Sequence, residues 1–242
     1  MIDKVSYTGY VLSDFLQVIS VEKPGASRVN NTKQVSGMDG TLPMGSTLSP
    51  VTIPVTFLLS EMDMMERRER IRELYYMIRS REPARLEFAS DCGLYYMAVP
   101  DGEVPIQDHV RAGKVVVSFR ADSPMLYGAE RSVTVPSGGS AQIMVGGTYP
   151  TEPTVVGSLT GDSTAGNVWG LRVDGGSYFH VQLGSGQREV VADCERCVVT
   201  VDGTVTLPTL DSDWLRLDVG PHTLTNDVGS GACTVTWRER WS

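Results

Sequence analysis

The sequence predicts a mainly β chain with two β-sandwich domains, the first carrying one helix. Three observations carry this reading. Apolar residues alternate with polar ones in several short runs, turn residues separate those runs, and one long segment lacks Gly and Pro altogether. The chain has 242 residues, enough to bury a sizeable core without disulfides or metal. Its 25 Gly and 13 Pro are spread without period, which excludes a collagen-like chain and argues against general disorder.

In chain order, two N-terminal strands lead into the stretch from Arg28 to Ser49. That stretch is rich in Asn, Gly, Ser and Thr and shows no clean periodicity, so it reads as a loop. A loop of about 20 residues is long for a compact domain and is usually functional or disordered. A strand follows, and then the helix. Ser60 is a good N-cap, and Asp63 three residues on gives a weak variant of the capping box. Ile71, Leu74, Tyr75 and Ile78 fall at i, i+3, i+4 and i+7 and form one apolar stripe, and Pro83 stops the helix. Arg67, Arg68, Arg70 and Arg72 alternate with Glu66, Glu69 and Glu73. A basic face for nucleic acid is one reading. A solvated helix laced by ion pairs is the other, and the interleaving of acids and bases favours it.

Val115, Val117 and Phe119 alternate with polar neighbours, as do Phe179, Val181 and Leu183, then Leu215, Leu217 and Val219, and finally Cys233, Val235 and Trp237. Each run predicts a strand with one buried face. Asp202-Gly203 between Val198–Val201 and Thr204–Leu207 predicts a two-residue hairpin. Regular short strands from about residue 150 onward suggest a sandwich or jelly roll. Pro136-Ser-Gly-Gly-Ser140 and then Gly146-Gly147 mark a composition shift. The expected division is a first domain over 1–130, a linker over 131–147 and a second domain over 148–242.

The chain carries 21 basic and 29 acidic side chains, a net charge of −8. That argues against sequence-reading nucleic-acid binding, which rests on a basic footprint. The acidity is uneven. Residues 1–127 hold 14 basic and 16 acidic groups and residues 128–242 hold 7 and 13, with no lysine after Lys114. No apolar run approaches the length needed to span a bilayer, and the start does not read as a signal peptide, so membrane insertion is not expected.

Catalytic chemistry finds no constellation. Cys194-Glu-Arg-Cys197 is a C-x-x-C, but its flanks read as strands, and a redox site needs a helix N-terminus to lower the thiol pKa. Cys92 and Cys233 are single and distant, so a second zinc ligand pair is missing. His109, His180 and His222 show no metal spacing, and His180 is expected to be exposed on its strand. Asp211 and Asp213 sit in a turn-like stretch. No nucleophile elbow or phosphate loop occurs. The reading is a non-enzyme without cofactor or metal.

The order of elements and several local motifs resemble the distal tail protein family of long-tailed, non-contractile bacteriophages (siphophages). Asn30-Asn31-Thr32-Lys33 followed by Gly37-Met38-Asp39-Gly40 resembles the family's Asn/Thr/Lys cluster and G-x-D-G turn. Glu82-Pro83-Ala84-Arg85-Leu86 resembles its E-P-x-x-L after the helix, and Tyr95-Tyr96-Met97-Ala98 its paired tyrosines. Asp122-Ser123-Pro124 with Tyr127-Gly128 resembles the motif closing the first domain. Thr148–Pro153 resembles the opening of the second, Val190–Gly203 a strand pair within it, and Trp237–Trp241 its closing strand. Two departures stand out. Ser123 is inserted before Pro124, and Gly220-Pro221-His222 stands where the family often has Pro-Gly-Asn.

The resemblance implies a structural virion protein at the tail tip, assembled in the host cytoplasm. It implies a tail-tube-like first domain that closes a homo-hexameric ring on the tail tube protein, and a galectin-like second domain facing outward. The ring would join the tube to a tail-tip or tail-associated protein and to receptor-binding proteins, and DNA would pass through without specific binding. A ring needs two unlike patches on each copy. The candidate for one is the polar segment bearing Arg28, Asn30, Asn31, Lys33, Met38 and Asp39. The alternatives are another baseplate hub protein or a carbohydrate-binding module with Trp169, Tyr178 and Trp214 as stackers.

Overall fold

The computed structural model describes residues 3–60, 63–108, 112–158, 167–226 and 231–242, so His109 lies outside it. The chain divides into two compact units, Met1–Tyr127 with Ser242, and Gly128–Trp241.

The first unit contains β1 (Val5–Tyr7), β2 (Tyr10–Val11), a one-turn α1 (Leu12–Phe15), β3 (Gln17–Val21), β4 (Arg28–Lys33), β5 (Leu42–Leu48), β6 (Val51–Ser60), α2 (Met64–Met77), β7 (Ala84–Phe88), β8 (Tyr95–Pro100), β9 (Ile106–Asp108), β10 (Ala112–Ala121) and the start of β11 (Leu126–Val135). The expected single helix is α2, and α1 is an addition. Strands β6 and β10 pair antiparallel along ten residues, from Val51 opposite Ala121 to Ser60 opposite Ala112. Every second residue of β6 from Val51 to Leu59 is buried, as are Val115, Val117 and Phe119 of β10, because successive side chains leave a strand on opposite faces. Strand β3 flanks β6, and β1, β7 and β8 pair in turn to supply Val5, Tyr7, Leu86 and Phe88. The Tyr7 and Phe119 rings meet with centroids 4.9 Å apart, and the Tyr7 hydroxyl donates to Ala98 O at 3.2 Å.

Helix α2 begins later than the sequence suggests. Ser60 is the last residue of the β6 ladder, and Asp63 is the N-cap, its carboxylate accepting the Glu66 N–H at 2.8 Å. The buried stripe also shifts. Leu74 and Ile78 are buried, Ile71 is half-buried, and Arg67 lies buried one turn earlier, while Tyr75 stays exposed.

The second unit continues with β12 (Ser140–Val145), β13 (Thr154–Ser158), β14 (Asn167–Val173), β15 (Tyr178–Leu183), β16 (Glu189–Asp193), β17 (Val198–Val201), β18 (Thr204–Thr206), β19 (Gly220–Asn226) and β20 (Cys233–Trp241). One sheet runs β18-β17-β16-β13-β20 and the other β12-β19-β14-β15. Their facing sides form one core, with Val155, Val190, Val199, Val235 and Trp237 on one side and Trp169, Leu171, Phe179 and Val181 on the other. Strand β20 belongs to this unit, pairing with β13 from Cys233 to Thr236. Asp202 and Gly203 both take positive φ, 45° and 77°, as a type I′ hairpin turn requires.

Two expectations change here. The stretch 131–147, read as a linker, is largely taken up by the end of β11 and by β12, and Ile143 and Val145 are core residues. Leu215 and Leu217 are buried, yet they lie on an irregular segment whose only bridge among the described residues is Leu217 to Thr151, and Val219 is exposed. Alternating burial there comes from side-chain anchoring and not from a ladder.

Gly157 faces the Trp169 indole so closely that an added Cβ would overlap the ring, and Trp169 is fully buried. Gly157→Ala is expected to destabilise the second unit by about 1–3 kcal/mol through overpacking, read as a lower denaturation midpoint. An unchanged midpoint would contradict this packing.

Candidate functional site

The segment 28–48 is an extended ribbon, not the expected loop. Strands β4 and β5 pair from Arg28 opposite Leu48 to Lys33 opposite Leu42, and no other strand joins them among the described residues. The register shifts between Asn30 and Thr32: Met44 and Gly45 of β5 stand opposite the single residue Asn31 of β4, so the bulge is on the strand facing Asn31. Gly45 lies on the facing strand at φ 104°, a conformation that only glycine adopts easily. The ribbon turns at its tip through Val35–Met38, where the Met38 N–H donates to Val35 O at 3.2 Å and Gly37 has φ 82°. Pro43 fits because a lone pair of strands leaves half its N–H positions outside the ladder.

All six residues singled out from the sequence are exposed. Arg28, Asn30, Asn31 and Lys33 share β4, while Met38 and Asp39 lie in the tip connection. Arg28 donates from Nη1 to the Ser46 hydroxyl at 3.1 Å, tying the two strands at the root. Sequence reasoning missed the apolar partners of these polar groups. Val29, Val35, Leu42 and Met44 are also exposed, Met44 at 60%. The signal was present as apolar residues inside a polar stretch, but with both faces in water no alternation marks it.

An ionic cluster stands just before the ribbon. Lys23 Nζ lies 3.1 Å from Asp3 and 3.0 Å from Asp91, and its ammonium sits 4.3 Å from the Phe88 ring centroid. Burial pushes the Asp3 carboxyl up, but hydrogen bonds from the Ser90 hydroxyl and N–H and from Lys23 outweigh it and hold the carboxyl below its usual range.

The residues proposed as sugar stackers are differently placed. Trp169 is wholly in the core, and Trp214 packs against Phe179 with centroids 5.1 Å apart. Tyr178 is half-buried, with the His180 ring 4.5 Å and the Arg172 guanidinium 5.4 Å from its centroid and its hydroxyl on Asp211 at 2.8 Å. Its faces are largely taken. His180, expected to be exposed, is half-buried, its ring lying over Gly170, and burial lowers its pKa. Cys194 is buried between strands, and burial pushes its thiol up to about 12, away from redox reactivity. Among the described residues no group of three or more His, Cys, Asp or Glu is placed to hold a metal ion.

Residues 3–121 match the family model described as phage tail protein RIFT-related domain. Residues 146–241 match that described as siphovirus-type tail component, C-terminal domain. The chain belongs to the distal tail protein family of siphophages. No curated protein matches it significantly. Its fold is similar to the crystal structure of phage SPP1 Dit (gp 19.1), described as a paradigm of the hub adsorption apparatus in phages infecting Gram-positive bacteria, with 19% identity, a TM-score of 0.77 and full coverage of both chains. Two structures of the phage P2 baseplate in its activated conformation, with Ca and with Sr, each give a TM-score of 0.50 at 11% identity, covering 99% and 98% of this chain and 98% and 97% of theirs. The distal tail family is a structural one, a component of the phage tail and baseplate, not an enzyme family.

Both departures from the family pattern make contacts in this distal tail protein. The inserted Ser123 accepts the Tyr127 hydroxyl at 2.9 Å. His222, in the Gly-Pro-His variant, bridges Asp174 Oδ2 through Nδ1 at 2.6 Å and Asp218 O through Nε2 at 2.7 Å, while the Thr223 N–H donates to Asp174 Oδ1 at 2.7 Å. This latch ties the β14–β15 turn to the start of β19. Burial lowers the His222 pKa, but hydrogen bonds to Asp174 and to Asp218 O outweigh it, so the folded-state value is raised. Its stabilisation is therefore fully present below the unfolded value of about 6.5 and is lost as pH rises through the raised value. The melting temperature of the second unit should fall across that window, and His222→Gln should flatten the dependence. An equal slope in the variant would remove the latch from the account.

Proposed function

We propose that this chain forms the homo-hexameric hub ring at the distal end of a siphophage tail tube. The first unit closes the ring against the tail tube protein. The galectin-like second unit faces outward, where it holds the tail-tip or tail-associated protein and receptor-binding proteins. The observation that carries the ring is the exposed ribbon β4–β5. An isolated two-stranded ribbon is marginally stable in water. This one exposes every residue of β4, apolar Val29 included, so it gains most by ordering against another protein surface. Arg28, Asn30, Asn31, Lys33, Met38 and Asp39 are the side chains assigned to that contact.

Head-to-tail contacts between unlike patches close rings, and a ribbon reaching onto the neighbouring copy is such a contact. DNA would cross the ring unbound. A net charge of −8 supports this, because repulsion keeps the affinity for a sliding polyanion low.

The test is the mass and image of the purified chain. Light scattering and negative-stain microscopy should show a hexameric ring. The double variant Arg28→Glu/Lys33→Glu should lower ring occupancy while leaving the melting transition in place. A strict monomer at high concentration that binds glycans would overturn the ring and favour a carbohydrate-binding module.

A further inference from the structure

Helix α2 has exposed arginines and glutamates that alternate along the chain but not around the cylinder. At about 100° per residue, Met64, Met65, Arg68, Arg72, Tyr75 and Tyr76 fall on one flank of the exposed surface. Glu66, Glu69, Arg70 and Glu73 fall on the other. On that second flank Arg70 Nη1 lies 3.4 Å from Glu73 and its guanidinium covers the Phe15 ring. The first flank carries no acid within the helix. Its apolar side chains are far out of the core, with Met64 at 62%, Met65 at 75%, Tyr75 at 45% and Tyr76 at 54% exposure. Arg68 and Arg72 are exposed and have no ion-pair partner among the described residues.

Met, Tyr and Arg, without Lys, make up the composition that protein interfaces favour and ordinary surfaces do not. Nucleic acid fits less well. The Arg79 guanidinium already lies 4.3 Å from the Tyr76 ring centroid, covering a face that a base would use. The helix is about 21 Å long and offers few phosphate contacts.

We propose that this basic, Met/Tyr-bearing flank of α2 is a contact surface for a second copy of the chain. The occupant follows from charge. Residues 1–127 hold 14 basic and 16 acidic side chains, so the first unit without Arg68 and Arg72 is acidic at −4 and complements a patch of those two arginines. A twofold dimer through this flank would set arginine against arginine, whereas a head-to-tail contact sets it against a different, acidic patch. The proposal rests on the ring reading and supplies a contact separate from the ribbon.

Sedimentation velocity of the full chain over a concentration series tests it. Arg68→Glu/Arg72→Glu should raise the concentration needed for assembly by about tenfold or more, since it sets like charges against each other. Met65→Ala/Tyr75→Ala should weaken assembly at unchanged net charge. Arg196→Glu/Arg216→Glu, two exposed arginines of the second unit, match the first variant in charge and should leave assembly near wild type. All these side chains are exposed, and circular dichroism checks that each variant keeps its fold. A ring that tolerates the α2 reversal, or a matched control that weakens equally, overturns this contact and leaves the ring standing. So does a reversal that abolishes binding of a labelled DNA duplex while assembly is untouched. A wild-type chain that stays monomeric removes the ring and this contact together.

Discussion

A pair of strands with no third strand beside it has too little to bury. In β4–β5, which no third strand joins among the described residues, the ladder satisfies one side of each backbone and leaves the strands exposed to water. The ring proposed for this chain depends on that constraint. Each of the two units has a buried core of its own. The ribbon lies exposed, and its polar side chains give a neighbour something to recognise while its few apolar ones give something to bury.

The cores around it are made by ordinary means. In the first unit the ten-residue β6–β10 ladder presents a continuous buried face, and the buried Tyr7 hydroxyl donates to Ala98 O. In the second, the end of the chain is pinned. Arg240 is nearly buried and forks between Glu152 and Glu195, and its carbonyl accepts the Thr148 and Tyr149 N–H groups at 2.9 and 3.1 Å. A buried arginine with two carboxylates on it is costly to break, because removing one partner leaves charge without compensation. That contact holds β20 to the segment that opens the second family domain.

Much of this fold was legible. Strands with one buried face announce themselves by alternation, as Val115–Phe119 and Phe179–Leu183 do, and Asp202-Gly203 encodes its turn type directly. What failed to show was whatever local sequence cannot rank. Ser60 and Asp63 are both good caps, and the β6–β10 ladder decides between them by holding Ser60 in a strand. The ribbon gave no period because it has no inside. The charges of α2 looked interleaved because neighbours in sequence stand about 100° apart on a helix, and only the cylinder separates them. His222 and Asp174 are 48 residues apart, so nothing in either neighbourhood foretells the latch.

Amide hydrogen exchange along β4 and β5, compared between monomer and assembled ring, tests the central claim most directly. A ribbon completed by its neighbour exchanges almost freely in the monomer and becomes protected in the ring, while the β6–β10 amides stay protected in both. Ribbon amides that are equally protected in the two states, or equally open, would contradict the account.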